Sequence, residues 1–229
     1  MFNQRYVTAV VVIVSLLSAC EQSTGPTVEG DSTRIIGSGV PATKTFSLGS
    51  FQRIKARGVA RVVIAPGPDE MVTVTADDNI LPLLWARVED GVLKVGMPDD
   101  GELEIRARTE VLFEVTYRQI DALDLQGVLV VDARGIQVDD LDVIVSGVST
   151  LSIEGRADTQ VVHVDGVSTY LASSLQSRFV KITGNGVMDV VVNVSEELKG
   201  NVCGAGSVRY LGTPDVFVTA CPGVRVSAG

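Results

Sequence analysis

The chain has 229 residues, enough for one large domain or two small ones; 45% are hydrophobic but only 5% aromatic, so a core must be aliphatic. Its many valines suit the pleated, half-buried surface of a β-sheet. The formal net charge of −9 speaks against a nucleic-acid partner, because phosphate contacts need Lys and Arg, and equally against docking on anionic lipid by charge alone.

The N-terminus reads differently from the rest. Arg5 is the single side-chain charge ahead of an apolar run over residues 7–17, broken only by Thr8 and Ser15. A bilayer span needs about 18 or more apolar residues, so this shorter run fits the h-region of a signal peptide. It ends in Leu17-Ser18-Ala19-Cys20, which resembles the bacterial lipobox. The resemblance implies that residues 1–19 are removed and that Cys20 carries the lipid. Each acyl CH₂ buried in the membrane adds about 0.8 kcal/mol, so two or three chains anchor firmly. Residues 21–33 are polar and poor in large apolar side chains, a composition that does not order itself. Residues 20–45 are therefore expected to form a flexible tether. Glu21, in place of the Asp that resembles an inner-membrane retention signal, favours the outer membrane or periplasm.

From Phe46 on, the expected elements are short strands of alternating character over residues 59–65, 71–76, 91–96, 101–107 and 110–117. Turns are marked by Pro66-Gly-Pro-Asp69, Glu89-Asp-Gly91 and Pro98-Asp-Asp-Gly101. Residues 78–85 break the alternation and read as one or two helical turns plugging the end of a sheet.

The second half repeats. Gly127, Gly147, Gly166 and Gly186 are each followed by Val, Gly206 falls 20 residues after Gly186, and Gly147-Val-Ser-Thr150 returns almost literally as Gly166-Val-Ser-Thr169. Alternating strands at 141–145, 159–164 and 179–183 lie between. A period near 20 without a helix matches one solenoid coil of about three short strands, stacked about 4.8 Å from the next. On this reading the glycines mark a corner, the valine after each points into the core, and the serine after that faces out. The residues before the glycines, Gln126, Ser146, Asp165, Asn185 and Ala205, form an outward, mostly polar ladder. An antiparallel sandwich is the competing architecture; the regular spacing favours an all-β, right-handed parallel β-helix over residues 46–229.

Three stretches resemble the GIN domain family, described as the head of putative autotransporter adhesins. They are Phe51-Gln-Arg-Ile-Lys-Ala-Arg-Gly58 with the strand after it, Asp77-Asp-Asn-Ile-Leu81 leading to residues 88–95, and Gly204-Ala-Gly-Ser-Val-Arg-Tyr-Leu-Gly-Thr-Pro214. The resemblance implies a right-handed parallel β-helix and carries no catalytic or binding residue with it. Where that family favours Ser-Gly-Ser repeats, this chain has Val after Gly.

Candidate chemistry is sparse. His163 is the only histidine, which excludes multi-histidine metal sites; it is expected on a strand surface beside Asp165. A Ser/His/Asp site drawn from Ser149, Ser168, His163 and Asp165 competes with the structural reading of serines at repeat positions. Acids cluster at 77–78, 99–102 and 139–142, but a Ca²⁺ site wants about six to eight oxygens, and the ladder offers only Asp165 beside Asn185. No metal, cofactor or catalytic residue is assigned. Cys203 and Cys221 lie 18 apart, close to one coil; they are a disulfide candidate in an oxidising compartment, with two stacked buried thiols as the alternative. The expected function is a lipid-anchored envelope protein, adhesin-like, that recognises an extended polysaccharide or protein partner and no nucleic acid. A carbohydrate-active enzyme on the same fold and a purely structural envelope protein are the alternatives.

Overall fold

The computed structural model of the protein describes residues 33–98 and 103–229. The signal peptide, Cys20 and the first part of the expected tether lie outside the described residues, as do Asp99, Asp100 and Glu102 of one acidic cluster. The described residues are β throughout, apart from a 3-10 turn at Leu81–Leu83. Among them, no helix is long and apolar enough to cross a membrane.

The strands are β1 (Thr33–Ile36), β2 (Pro41–Ser47), β3 (Arg53–Pro66), β4 (Met71–Asp77), β5 (Trp85–Glu89), β6 (Val92–Gly96), β7 (Leu103–Arg106) and β8 (Leu112–Tyr117). A nearly unbroken extended run, β9 (Ala122–Leu211), follows, then β10 (Asp215–Ala220) and β11 (Val224–Ala228). The long β3 organises the N-terminal part. It pairs in parallel with β6 through Arg53–Ala56, with β8 through Arg61–Pro66, and with the start of β9 along Arg53–Ile64. β10 and β11 add in parallel to the end of β9, at Glu197–Val202 and Gly206–Tyr210. Among the described strands, β2–β4, β4–β8 and β5–β6 pair antiparallel.

Residues 33–45, expected as tether, are instead largely strand. β1 pairs with β7 and β2 with β4, where the Thr43 and Thr75 hydroxyls meet at 3.0 Å. An edge strand needs little apolar surface, because one of its sides faces water, so its polar composition mimics a tether. Behind it, the buried Asp77 carboxylate ties three chain segments together. It accepts from the backbone N–H of Gly39 at 2.7 Å, Arg108 at 2.8 Å and Thr109 at 3.2 Å. Burial works against the charge, yet these amides outweigh it and hold the carboxyl below its ordinary value. Asp78 and Asn79 complete the clamp through Ser38 and the Ile36 carbonyl.

Within β9, contacts join residues about one repeat apart. The Ser146 hydroxyl donates to the Leu125 carbonyl, Asn193 to that of Ser173, and Ser195 to that of Ser177, at separations of 21, 20 and 18 residues. The glycines stack as a column. A β carbon placed on Gly127, Gly147, Gly166 or Gly186 would fall on the carbonyl oxygen of Gly58, Gly127, Gly147 or Gly166 respectively. The next member is Gly204, not Gly206: Gly204 sits over Gly186 and Gly206 over Met188, because this interval is 18 residues rather than 20.

The valines after the glycines face solvent, reversing the sequence expectation. Val148 and Val167 are 54% and 52% exposed, whereas Ser149 and Ser168 are 4% and 3% exposed. Counting in twos from the inward Val145 or Val164 already places the valine outside and the serine inside. What the glycine changes is its own position, which would otherwise point inward. Gly147 has φ +95° and Gly166 φ +82°, a region side-chain-bearing residues avoid, and each interrupts the in–out alternation of a strand. Three residues, not one, then lie outside between consecutive inward side chains such as Val145 and Ser149. The buried serine hydroxyls are satisfied by carbonyls: Ser149 donates to Gly127 at 3.2 Å and Ser168 to Asp165 at 3.1 Å.

The core is aliphatic, with inward files such as Leu141, Val143 and Val145 or Val190, Val192 and Val194. Its largest buried side chain is Tyr170, whose hydroxyl donates to Gln160 at 2.8 Å while Gln160 donates to Ser177 at 2.5 Å, so these three polar side chains satisfy one another inside the core. Burial raises the Tyr170 pKa, keeping it a neutral donor. Near the C-terminus Cys203 is disulfide-bonded to Cys221, their Cα atoms 4.7 Å apart. This separation follows from register, because Ala220 pairs with Val202 in the adjoining parallel strand.

Candidate functional site

Side chains that leave a parallel strand outward meet their counterparts on the neighbouring strand, about 4.8 Å away. Arg178 donates to Glu196 at 2.6 Å and to Asp158 at 3.3 Å, with its guanidinium 4.9 Å from the Phe179 ring. A depression of about 280 Å³ lies here, lined by Arg156, Asp158, Gln176, Arg178, Asn193 and Ser195. Such ladders give a broad polar face rather than a cleft.

His163 lies on another part of that surface. Its Nε2 is 2.7 Å from Asp165 and its Nδ1 2.9 Å from the Thr183 hydroxyl. His163 and Asp165 are thus together, as expected from their spacing. Ser149 and Ser168 are not part of the constellation: both are buried and bonded to backbone carbonyls. A nucleophile must reach its base and its substrate, so neither serine can serve His163. Asp77 and Asp78 are consumed by the clamp, while Asp139, Asp140 and Asp142 are exposed. Among the described residues, no three His, Cys, Asp or Glu side chains converge on a metal position.

Sequence reasoning missed a second surface, on the outward face of β3, β5 and β6. Register places Arg87, Lys94, Lys55 and Asp124 in one row across four strands. The adjacent row holds Trp85 opposite Gly96, with the Arg57 carbonyl next to Gly96. Gly96 is required there. A β carbon would meet the Arg57 oxygen at 2.9 Å and the Trp85 ring at 3.0 Å, so only glycine lets the indole lie over the sheet. Arg87 stacks against the indole, 4.6 Å from its centroid. Two depressions join along this face. One of about 320 Å³ is lined by Lys55, Arg57, Trp85, Arg87 and Lys94; one of about 380 Å³ shares Lys55 and Lys94 and continues to Arg53, Asp142 and Ile144.

The electrostatics of this face oppose those of the whole chain. Lys55 pairs with Asp124, Lys94 with Glu89 at 2.5 Å, and Arg87 with Glu89 at 2.6 Å. Lys94, as the closest donor, together with Arg87 holds the Glu89 carboxyl below its ordinary value. Among the described residues, Arg53 and Arg57 have no carboxylate partner, and the Arg57 Nε is buried without any hydrogen-bond acceptor. The clue in the sequence was charge at every second residue, Arg53-x-Lys55-x-Arg57 and Trp85-x-Arg87, on strands whose intervening residues are apolar.

Residues 50–214 match the family described as putative auto-transporter adhesin, head GIN domain. The chain belongs to this family. Its GIN domain has the fold of several solved structures. One is a putative adhesin from Bacteroides fragilis NCTC 9343, at TM-score 0.70 and 22% identity, covering 85% of this chain and 99% of that one. Another is a putative adhesin from Parabacteroides merdae ATCC 43184, at TM-score 0.53 and 16% identity, covering 86% and 99%. A third is described as a putative lipid binding protein, from Parabacteroides distasonis ATCC 8503, at TM-score 0.53 and 17% identity, covering 86% and 100%. No curated protein sequence is significantly similar to the chain.

Proposed function

We propose that this GIN-domain protein is a lipid-anchored, envelope-exposed binding protein that recognises an extended partner, foremost a cell-envelope polysaccharide. On this reading β9 winds as a right-handed parallel β-helix and presents its outer faces along the direction of the polymer. The observation that carries the reading is the lateral contact of outward polar side chains one repeat apart, as in Asp158–Arg178–Glu196 and His163–Thr183. A surface that repeats every strand spacing matches a ligand that itself repeats, and affinity grows with each unit engaged. Membership in a family of adhesin heads supports an extracellular or envelope-associated position and a binding rather than catalytic role. The lipobox-like Leu17-Ser18-Ala19-Cys20 supplies the anchor. Substituting Cys20→Ser should abolish labelling by a fatty-acid analogue and release the protein from the membrane fraction; unchanged labelling rejects the anchor.

A glycan array probed with the detergent-solubilised protein, followed by pull-down from envelope extract, tests the binding function. Retention on polymeric glycans in preference to their monosaccharides is expected. Absence of glycan retention overturns the polysaccharide reading, and shortening of the bound glycan replaces binding by carbohydrate-active catalysis.

A further inference from the structure

The described surface contains one place where cations, an aromatic ring and a guanidinium without a carboxylate partner converge: the joined depressions around Trp85. We propose that this groove binds an acidic saccharide, whose ring packs on Trp85 while its carboxylate or sulfate is held by Arg57, Lys55 and Lys94. The inference rests on the polysaccharide-binding reading above and gives it a site and a ligand charge.

Four observations point the same way. In a chain of net charge −9, the cations Arg53, Lys55, Arg57, Arg87 and Lys94 gather on one outward face and, among the described residues that line it, outnumber the acids Glu89, Asp124 and Asp142 by two. Arg57 lines the groove without a carboxylate partner among the described residues, so the part of its guanidinium that faces the groove can take an incoming oxyanion. The only tryptophan of the chain is seated beside these cations by Gly96, which leaves room for the ring. An indole offers a rigid apolar plate to the C–H face of a sugar, while guanidinium groups match the two oxygens of a carboxylate or sulfate. Each depression, about 320 and 380 Å³, reaches the lower end of ligand-holding clefts, about 300 Å³. Lying side by side across Lys55 and Lys94, they offer places for neighbouring sugar units. A nucleic acid would also use aromatic and cationic groups, but a surplus of two charges within an acidic protein gives it little of the required long-range attraction.

The test measures binding of the intact, detergent-solubilised protein to polygalacturonate, alginate and heparin, with dextran as the neutral polymer. A single-stranded oligonucleotide and phosphatidylglycerol vesicles stand for other polyanions. Wild type should retain at least one acidic polymer over dextran, with affinity falling as salt is raised. Arg57→Gln and Lys94→Gln should each weaken that binding roughly tenfold or more, and Trp85→Ala should do likewise. Arg225→Gln, at an exposed cation on β11 away from the groove, should leave it unchanged. Thermal melting of each variant establishes that it is folded, and the half-buried Lys94→Gln carries the test if Trp85→Ala melts early. Equal binding by wild type and the groove variants overturns the groove while leaving the polysaccharide reading standing. Retention of dextran and acidic polymers alike overturns the requirement for ligand charge, and preference for the oligonucleotide or the vesicles overturns the saccharide assignment. Retention of no glycan at all overturns both readings.

Discussion

The pair Val148→Asp and Ser149→Asp separates two opposite descriptions of the repeat. A glycine corner that turned the next residue into the core would bury the valine and expose the serine. The structure does the reverse, with Val148 54% exposed and Ser149 4% exposed. Ser149 lies between the inward residues Val145 and Leu151, and its hydroxyl donates to the Gly127 carbonyl at 3.2 Å. A carboxylate in its place loses that donor, sets its own oxygens against the carbonyl and has no cation within the aliphatic core. An uncompensated buried charge costs about 3–5 kcal/mol, a large part of the about 5–15 kcal/mol that stabilises a typical domain. At Val148 the new carboxylate stays in water. Its cost is confined to the poorer strand propensity of Asp, up to about 1 kcal/mol. Urea unfolding at pH 7, followed by circular dichroism and by the fluorescence of the single tryptophan, Trp85, reads both values from the shift in midpoint. Lowering the pH should restore part of the stability of Ser149→Asp as its carboxyl protonates. A Val148→Asp variant that loses as much stability as Ser149→Asp would refute the argument, because it would place the valine in the core.

Three further outcomes follow from other parts of the fold. Gly166→Ala should lower the melting temperature sharply, since φ +82° costs about 1–3 kcal/mol for a residue with a side chain and its β carbon would strike the Gly147 carbonyl; Gly49→Ala, with nothing within 4 Å, should not. The Asp77 carboxyl has its folded pKa below its ordinary value, so its contribution is complete above about pH 4 and is lost as pH falls through the folded value. Asp77→Asn, which puts an N–H donor against an amide donor, should therefore lower the melting temperature at pH 7 and by progressively less in acid. Peptide mass spectrometry of unreduced protein from its native envelope should recover Cys203 linked to Cys221, and reduction should destabilise the domain, by roughly 3 kcal/mol in the loop-entropy description; two free thiols would refute the bridge.

The fold was legible wherever periodicity alone determines it. Aliphatic alternation, and a glycine every 19 or 20 residues from Gly127 to Gly186, were enough to expect β strands in a stacked arrangement. Periodicity fails where the repeat changes length: Gly206 continues the count by 20, but the chain shortens this interval to 18 and stacks Gly204 instead, with Gly223 next on Gly204. At the glycines themselves periodicity held: counting in twos from the inward Val145 puts Val148 outside and Ser149 inside, as observed. Reading the valine as the inward residue behind a glycine corner is what breaks the count. The polar strands β1 and β2 were hidden for a different reason. Their stability comes from backbone pairing and from cross-strand contacts such as Thr43 with Thr75, which leave no apolar signature. The 3-10 turn at Leu81–Leu83 was foreseen as a helical turn, but Trp85 beyond it opens β5 instead.

The basic groove shows why a binding surface on such a fold is harder to read than its core. Arg53, Lys55 and Arg57 stand out in the sequence as an alternating basic strand, whereas Trp85, Arg87 and Lys94 lie 28 to 41 residues later. Nothing in the order of residues brings them together; two registers do. One aligns β3 with β6 so that Lys55 meets Lys94, and the other folds β5 back on β6 so that Arg87 and Trp85 meet Lys94 and Gly96. A slip of one residue in either pairing would send these side chains to the core face, where five cations could not be accommodated. The buried Ile54, Ala56, Leu93 and Val95 therefore fix the register, and through it the position of every cation on the opposite face. The polar surface is specified by the apolar residues between its members. It follows that substitutions at Leu93 or Val95 that shift this register would dismantle the groove without touching a single charged residue.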